Sequence, residues 1–217
     1  MKMDRSVAVL GLGKYGRSLT ESLHKLGADV LAVDRDEEKV AEIADKCTSA
    51  VCANLANEEE VAALGLKNMD VVVTAMGEQL APSIMSVAVA KEQGVPVVVS
   101  KACSDRMASI LLKVGADKIL DPEEEGGRRS ARILMSTVFK DFYSIDDNMC
   151  MIEMIPKSEW IGKDLVELDL RGKLNLNIVA IRQKGKLWKF VDPRIPFTKD
   201  DILLIVTEKE NMKGIQL

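Results

Sequence analysis

Three glycines, Gly11, Gly13 and Gly16, fall in the stretch VLGLGKYGRS with the spacing G-x-G-x-x-G. A loop of this kind cradles phosphate oxygens. The first glycine permits a tight turn, the second lets backbone amides approach the anion, and the third allows a helix to pack closely on a sheet. Leu12, Lys14 and Tyr15 fill the positions between them. Lys14 places a cation beside the phosphate position. Amides and the helix dipole already serve a pyrophosphate there, so the extra charge suits a more exposed terminal phosphate, as in ADP or ATP. Asp34 follows at the end of the next apolar run, where a carboxylate accepts hydrogen bonds from ribose hydroxyls and repels a 2'-phosphate, with Arg35 acting in the opposite sense. Asn54, with Leu55 beside it, could read an adenine edge; Ala75, Met76 and Gly77 close a further apolar run; Lys101 could meet phosphate. Glu123, Glu124 and Glu125 could complement a helix N-terminus, act as a base or hold a hard cation.

These residues need elements that bring them to one edge. Six short apolar runs, at 6–11, 29–34, 48–54, 69–77, 95–102 and 117–121, alternate with helical patterns. Strands apolar on both faces and separated by helices predict a doubly wound parallel sheet, an α/β fold. Ligands then bind at the carboxyl ends of the strands, where all the residues above are expected. The first helix is expected to bury Leu19, Leu23 and Leu26 on one face and to stop at Gly27, with His24 on the solvent side.

The stretch DPEEEGGRRSARILMSTVFKDF, residues 121–142, reads as a helix capped by Asp121 and opened by Pro122. Its Gly126–Gly127 pair marks a hinge or a late start, and Ile133, Leu134, Val138, Phe139 and Phe142 form an apolar stripe suited to another subunit. Beyond it come a strand in NMCMIEMIP, a turn and short helix in IGKDLVELDLRGK, a hairpin turning at Gly185, and a strand with a closing helix from residue 200. The chain thus divides into a nucleotide-binding domain (1–122), a connecting helix (123–142) and a small α+β lobe (143–217).

Bulk properties exclude several classes. The net charge of −4 is wrong for nucleic acid, and no apolar run reaches the ~20 residues that span a bilayer. The chain reads as cytoplasmic. Its four cysteines include no C-x-x-C pair and are expected to be reduced, mostly buried thiols. For hydride transfer the sequence offers little: one histidine, no Tyr-x-x-x-Lys pair and no G-x-S-x-G.

The series VLGLGKYGRSL, VLAVDRDEEKV, VCANLANEEEVAALGLKNMDVVVTAMG, VVVSKA and VGADKILDPEEEGG, followed by IGKDLVELDLRGKLNLNIVAIRQKGK and DDILLIVT, resembles the KtrA- or TrkA-type RCK regulatory subunits of bacterial potassium uptake systems. The resemblance runs over nearly the whole chain. It implies a Rossmann-like RCK N domain and a smaller RCK C domain. It further implies homodimers that assemble into an octameric ring under a membrane potassium-transporting subunit of KtrB or TrkH type. ATP and ADP compete in the crevice, and some TrkA-type relatives prefer NAD or NADH. On this resemblance Gly11, Gly13 and Gly16 hold phosphates, Asp34 the ribose, Asn54 lies near adenine, and Lys101 contacts phosphate. Glu123 is implied near a divalent cation, Mg or Ca, and Arg171, Asn177 and Pro193 near cyclic di-AMP. The family places arginine where this chain has Lys14; lysine keeps the charge and loses the planar fork.

The leading expectation is therefore a nucleotide-gated regulatory subunit without catalytic activity. A small NAD-dependent oxidoreductase and a free-standing nucleotide sensor stand as alternatives.

Overall fold

The computed structural model describes residues 5–135 and 139–214. The chain forms two compact units, 1–123 and 124–217. In the first, β1 (Ser6–Leu10), β2 (Asp29–Asp34), β3 (Ser49–Cys52), β4 (Val71–Thr74), β5 (Val97–Lys101) and β6 (Lys118–Leu120) alternate with α1 (Lys14–Lys25), α2 (Glu37–Ile43), α3 (Glu58–Ala63), α4 (Leu80–Glu92) and α5 (Asp105–Val114). The strands form a parallel sheet in the order β3-β2-β1-β4-β5-β6, so the chain reverses direction between β1 and β4.

The period-2 alternation of the strands divides the core into two layers. Val7, Val9, Val30, Ala32 and Val73 pack on one side with Leu19 and Leu23 of α1 and Ile43 of α2. Ala8, Leu10, Leu31, Val33 and Val72 pack on the other with Val61 of α3, Val87 of α4 and Leu111 of α5. The hydroxyls of Thr74 and Ser100 pair between β4 and β5, which satisfies two buried polar groups at the sheet centre. One expectation fails here: Leu26 is 79% exposed, because α1 ends at Lys25 and Leu26 caps it outside the packed stripe. His24 is exposed as expected.

Helix α6 (Pro122–Leu134) starts at the expected proline and runs through Gly126 and Gly127 without a break or a late start. Of the expected stripe only Ile133 and Leu134 lie on it, and Ile133 packs against the core of the second unit. Leu134 is 84% exposed, Val138 lies outside the described residues, and Phe139 and Phe142 belong to a strand, β7 (Phe139–Ser144). Their spacing of three looks helical. In the strand a register shift between Phe139 and Asp141 brings both phenylalanines into the same core.

The second unit continues with β8 (Met149–Met154), α7 (Leu165–Leu168), α8 (Leu170–Leu174), β9 (Asn177–Gln183), β10 (Lys189–Phe190) and β11 (Asp201–Glu208). Its strands form an antiparallel sheet in the order β10-β9-β11-β8-β7. Alternate residues Leu203 and Ile205 of β11 meet Ile152 and Met154 of β8 and the buried Trp160 and Phe197. Arg129 donates to Asp141 at 2.8 Å and Tyr143 donates to the same carboxylate at 2.7 Å. The guanidinium holds the Asp141 carboxyl down at about 2. The expected closing helix is a 3₁₀ segment, Lys209–Gly214. All four cysteines are free, but only Cys47 and Cys150 are buried; Cys52, the last residue of the edge strand β3, and Cys103, in the loop after β5, are exposed.

Candidate functional site

The glycine loop sits where β1 turns into α1. Gly11 adopts φ +101, a conformation that L side chains rarely enter, and its N–H donates to the Val33 carbonyl at 2.7 Å. A Cβ on Gly16 would overlap the Gly11 carbonyl oxygen, so α1 comes closer to the loop than any side chain would permit. Gly13 is the N-cap of α1 and provides no capping side chain. By contrast Asp36, Asn57 and Ser104 cap α2, α3 and α5 with their own oxygens. Gly13 thus gives the first amides of α1 no capping side chain, the arrangement that anions complete.

Asp34 ends β2 and is buried, 8% exposed. One carboxylate oxygen accepts the Leu12 N–H at 2.6 Å and the other the Asp36 N–H at 3.1 Å. These bonds fix the plane of the carboxylate and leave it lone pairs for further donors. Lys39, on α2, brings its ammonium 3.9 Å from Asp34 and 3.4 Å from Asp36.

A cleft of ≈ 300 Å³ opens over the carboxyl ends of the strands. Gly11, Gly13, Lys14, Asp34 and Arg35 line its β1–β2 side; Asn54 and Leu55 line the β3 end. Ala75, Met76, Gly77 and Lys101 line the β4–β5 side. Asn54 follows β3 in a turn: its side-chain oxygen accepts the Ala56 N–H at 3.1 Å, and its own N–H donates to Glu60 at 2.6 Å. Ala75 to Gly77 form the loop after β4, and Lys101 is the last residue of β5. The Lys101 stem crosses the face of Gly77, and its ammonium lies 5.8 Å from the Tyr15 ring.

Four expected residues fall outside the lining. Leu12 and Gly16 are buried beneath the loop, where Leu12 contributes its N–H to Asp34. Tyr15 packs toward the α1 layer of the core. Glu123 accepts the Lys101 ammonium at 2.6 Å in place of facing the cleft. Among the described residues no group of three or more His, Cys, Asp or Glu side chains converges as a metal site would require. The sequence reading missed Lys39, Glu78, Gln79 and Pro82, which complete the lining. The i,i+3 pair Asp36–Lys39 was a readable signal for the first of these.

In the second unit, Arg171 and Asn177 line a shallower cleft of ≈ 290 Å³ with Asn175, Thr207 and Glu208. Pro193 is not among its lining residues; its carbonyl accepts the Leu165 N–H at 3.1 Å.

A glycine loop at the switch point of a parallel sheet, facing a buried acid at the end of the second strand, defines a nucleotide-binding unit of the Rossmann class. A TrkA-N domain model matches residues 7–122 and a TrkA-C domain model matches residues 151–216. The chain belongs to the KtrA/TrkA-type RCK family. It is 34% identical over 206 residues to Ktr system potassium uptake protein C of Bacillus subtilis (strain 168), covering 94% of this chain and 92% of that protein. It is 31% identical over 213 residues to Ktr system potassium uptake protein A of the same organism, covering 98% and 96%. A solved structure of the GsuK channel bound to NAD has the same fold at 13% identity, with a TM-score of 0.66; the match covers 96% of this chain and 38% of the channel chain.

Proposed function

We propose that the chain is the nucleotide-binding regulatory subunit of a potassium uptake system and performs no catalysis of its own. The observation that carries this reading is the identity to two Ktr potassium uptake proteins across more than nine-tenths of the chain, through both units. The sole histidine supports the absence of catalysis, since it stands on α1 outside the cleft lining.

The ligand in this reading is an adenine nucleotide. Its ribose meets Asp34, its base lies by Asn54 and Leu55, and its phosphates lie over Gly13 between Lys14 and Lys101. Lys14, exposed beside the N-terminus of α1, favours a nucleotide with a terminal phosphate, ATP or ADP, over NAD or NADH. ATP and ADP differ by one phosphate, so an exchange between them shifts a conformational equilibrium only through contacts made by that phosphate. Lys14 and Lys101 are the cations placed for it.

The partner is a membrane potassium-transporting subunit of KtrB or TrkH type. The chain works as a homodimer within an octameric ring, held at the inner face of the membrane through that partner. Among the described residues no helix is long and apolar enough to cross a membrane itself. Glu123 would supply one carboxylate toward a divalent cation; among the described residues no group of three or more His, Cys, Asp or Glu side chains converges with it. Cyclic di-AMP would meet Arg171 and Asn177 in the second unit.

Titration calorimetry with ATP, ADP and NADH tests the ligand, and co-purification from membranes tests the partner. ATP and ADP are expected to compete for one site per chain. Tight NADH binding with substrate-dependent oxidation would move the chain to the oxidoreductases. Recovery from membranes without any transporter subunit would make it a free-standing sensor.

A further inference from the structure

The β9–β10 hairpin lies within the second unit and takes no part in the cleft of the first. Its tip and the following segment read KGKLWKFVDPR from Lys184 to Arg194. Leu187 is 92% and Phe190 88% exposed, the two highest values among the described large hydrophobic residues. Exposed Lys184, Lys186, Lys189 and Arg194 surround them, against the single carboxylate of Asp192. The chain as a whole is net negative, so this segment inverts the prevailing sign.

The hairpin is anchored. Lys189 and Phe190 pair in register with Ile181 and Ala180, both of which are buried. The Arg182 guanidinium lies 4.6 Å from the centroid of the Trp188 ring and donates to Glu153 at 2.8 Å. Leu187 and Phe190 are therefore held out by a fixed strand.

We infer that this hairpin is a membrane-contacting element that inserts Leu187 and Phe190 into the interface of an anionic phospholipid bilayer. Apolar side chains interleaved with lysines suit that boundary. The rings and Leu187 reach the acyl region while the flexible ammoniums extend to head-group phosphates. Each basic residue near an anionic surface strengthens partition by about fivefold. A second copy of the chain is a poorer occupant. Leu187 and Phe190 together offer about 400 Å², whereas a stable interface buries about 800 Å² per partner. β10, with two residues, adds little main-chain pairing.

The test is flotation of the full chain with phosphatidylcholine vesicles, with and without phosphatidylglycerol. Binding is expected only with phosphatidylglycerol and is expected to weaken as salt rises. Leu187→Ser with Phe190→Ser should lower partition by at least about 100-fold. Replacing Lys184, Lys186 and Lys189 by Gln should lower it by about 100-fold and flatten the salt dependence. All five side chains are exposed or on the hairpin edge, so nucleotide titration and circular dichroism should stay unchanged in both variants. Failure to float with anionic vesicles overturns the proposal, as does binding that survives both variants. Sedimentation in which the serine variant dissociates an oligomer, with vesicle partition unmoved, assigns the patch to contacts between copies and also overturns it.

Discussion

The Lys101 ammonium stands 2.6 Å from the Glu123 carboxylate, joining the last residue of β5 to the first turn of α6. Lys101 also lines the nucleotide cleft, so a phosphate in that cleft must compete with Glu123 for the same cation. Glu123 is two-thirds exposed, which makes it the weaker competitor. Glu123→Gln should therefore tighten ADP by about two- to fivefold. Lys101→Met should weaken it by about tenfold. In titration calorimetry the double variant should match Lys101→Met alone; additive effects would mean that the two residues act independently.

Lys14 is exposed at the cleft and has no hydrogen bond or ion pair among the described residues. Lys14→Ala should weaken ATP by about tenfold and ADP by less than about threefold. Equal losses would mean that it does not sense the terminal phosphate. Lys14→Arg should keep or increase the difference, because the guanidinium grips phosphate with two donors.

Gly16→Ala should both destabilise the first unit and abolish nucleotide binding, since the added Cβ meets the Gly11 carbonyl and forces helix and loop apart. A loss of about 2–3 kcal/mol in denaturant unfolding is expected. Gly13→Ala is the control: a Cβ there meets nothing within 4 Å, so stability should hold while phosphate approach suffers. If Gly16→Ala unfolds with the native midpoint, the packing argument fails.

The second unit carries its own acid sensitivity. Arg129 holds the folded-state pKa of Asp141 at about 2, below the unfolded value near 3.8. Because the folded value is depressed, the contribution is fully present above the unfolded pKa and is lost as pH falls from about 4 toward 2. Arg129 is nearly half exposed, so screening limits it to about 1 kcal/mol. Asp141→Asn should remove this part of the acid transition, read by unfolding titrations between pH 2 and 5, and change little below it.

Much of this was legible beforehand, and the misses share a cause. Five of the six strands of the first sheet announce themselves as valine and alanine runs, yet the bounds expected at 11, 54, 77, 102 and 121 all overrun the carboxyl ends of their strands. Ala53, Ala75 and Ala102 are buried just beyond the strand ends, and apolarity reports burial before it reports strand. The glycine loop and Asp34 were legible because close approach and buried charge restrict residue type. Lys39 is legible only as an i,i+3 partner of Asp36; that its ammonium also reaches Asp34 appears only in the fold. Phe139 and Phe142 were assigned to a helix because a bulge is invisible to periodicity. Leu187 and Phe190, for their part, read as ordinary hairpin residues; only the fold leaves them uncovered.

Leu12 offers Asp34 nothing but a main-chain N–H, and that donor helps to fix the plane of the carboxylate. Nineteen of the twenty amino acids carry the same N–H donor. Substitution at position 12 is thus limited by two demands that never mention the ligand: enough bulk to fill a fully enclosed site, and the exclusion of proline. A variable letter between two glycines can hide an invariant donor, so the recognition surface of this protein is partly written in atoms that the alphabet of side chains does not spell.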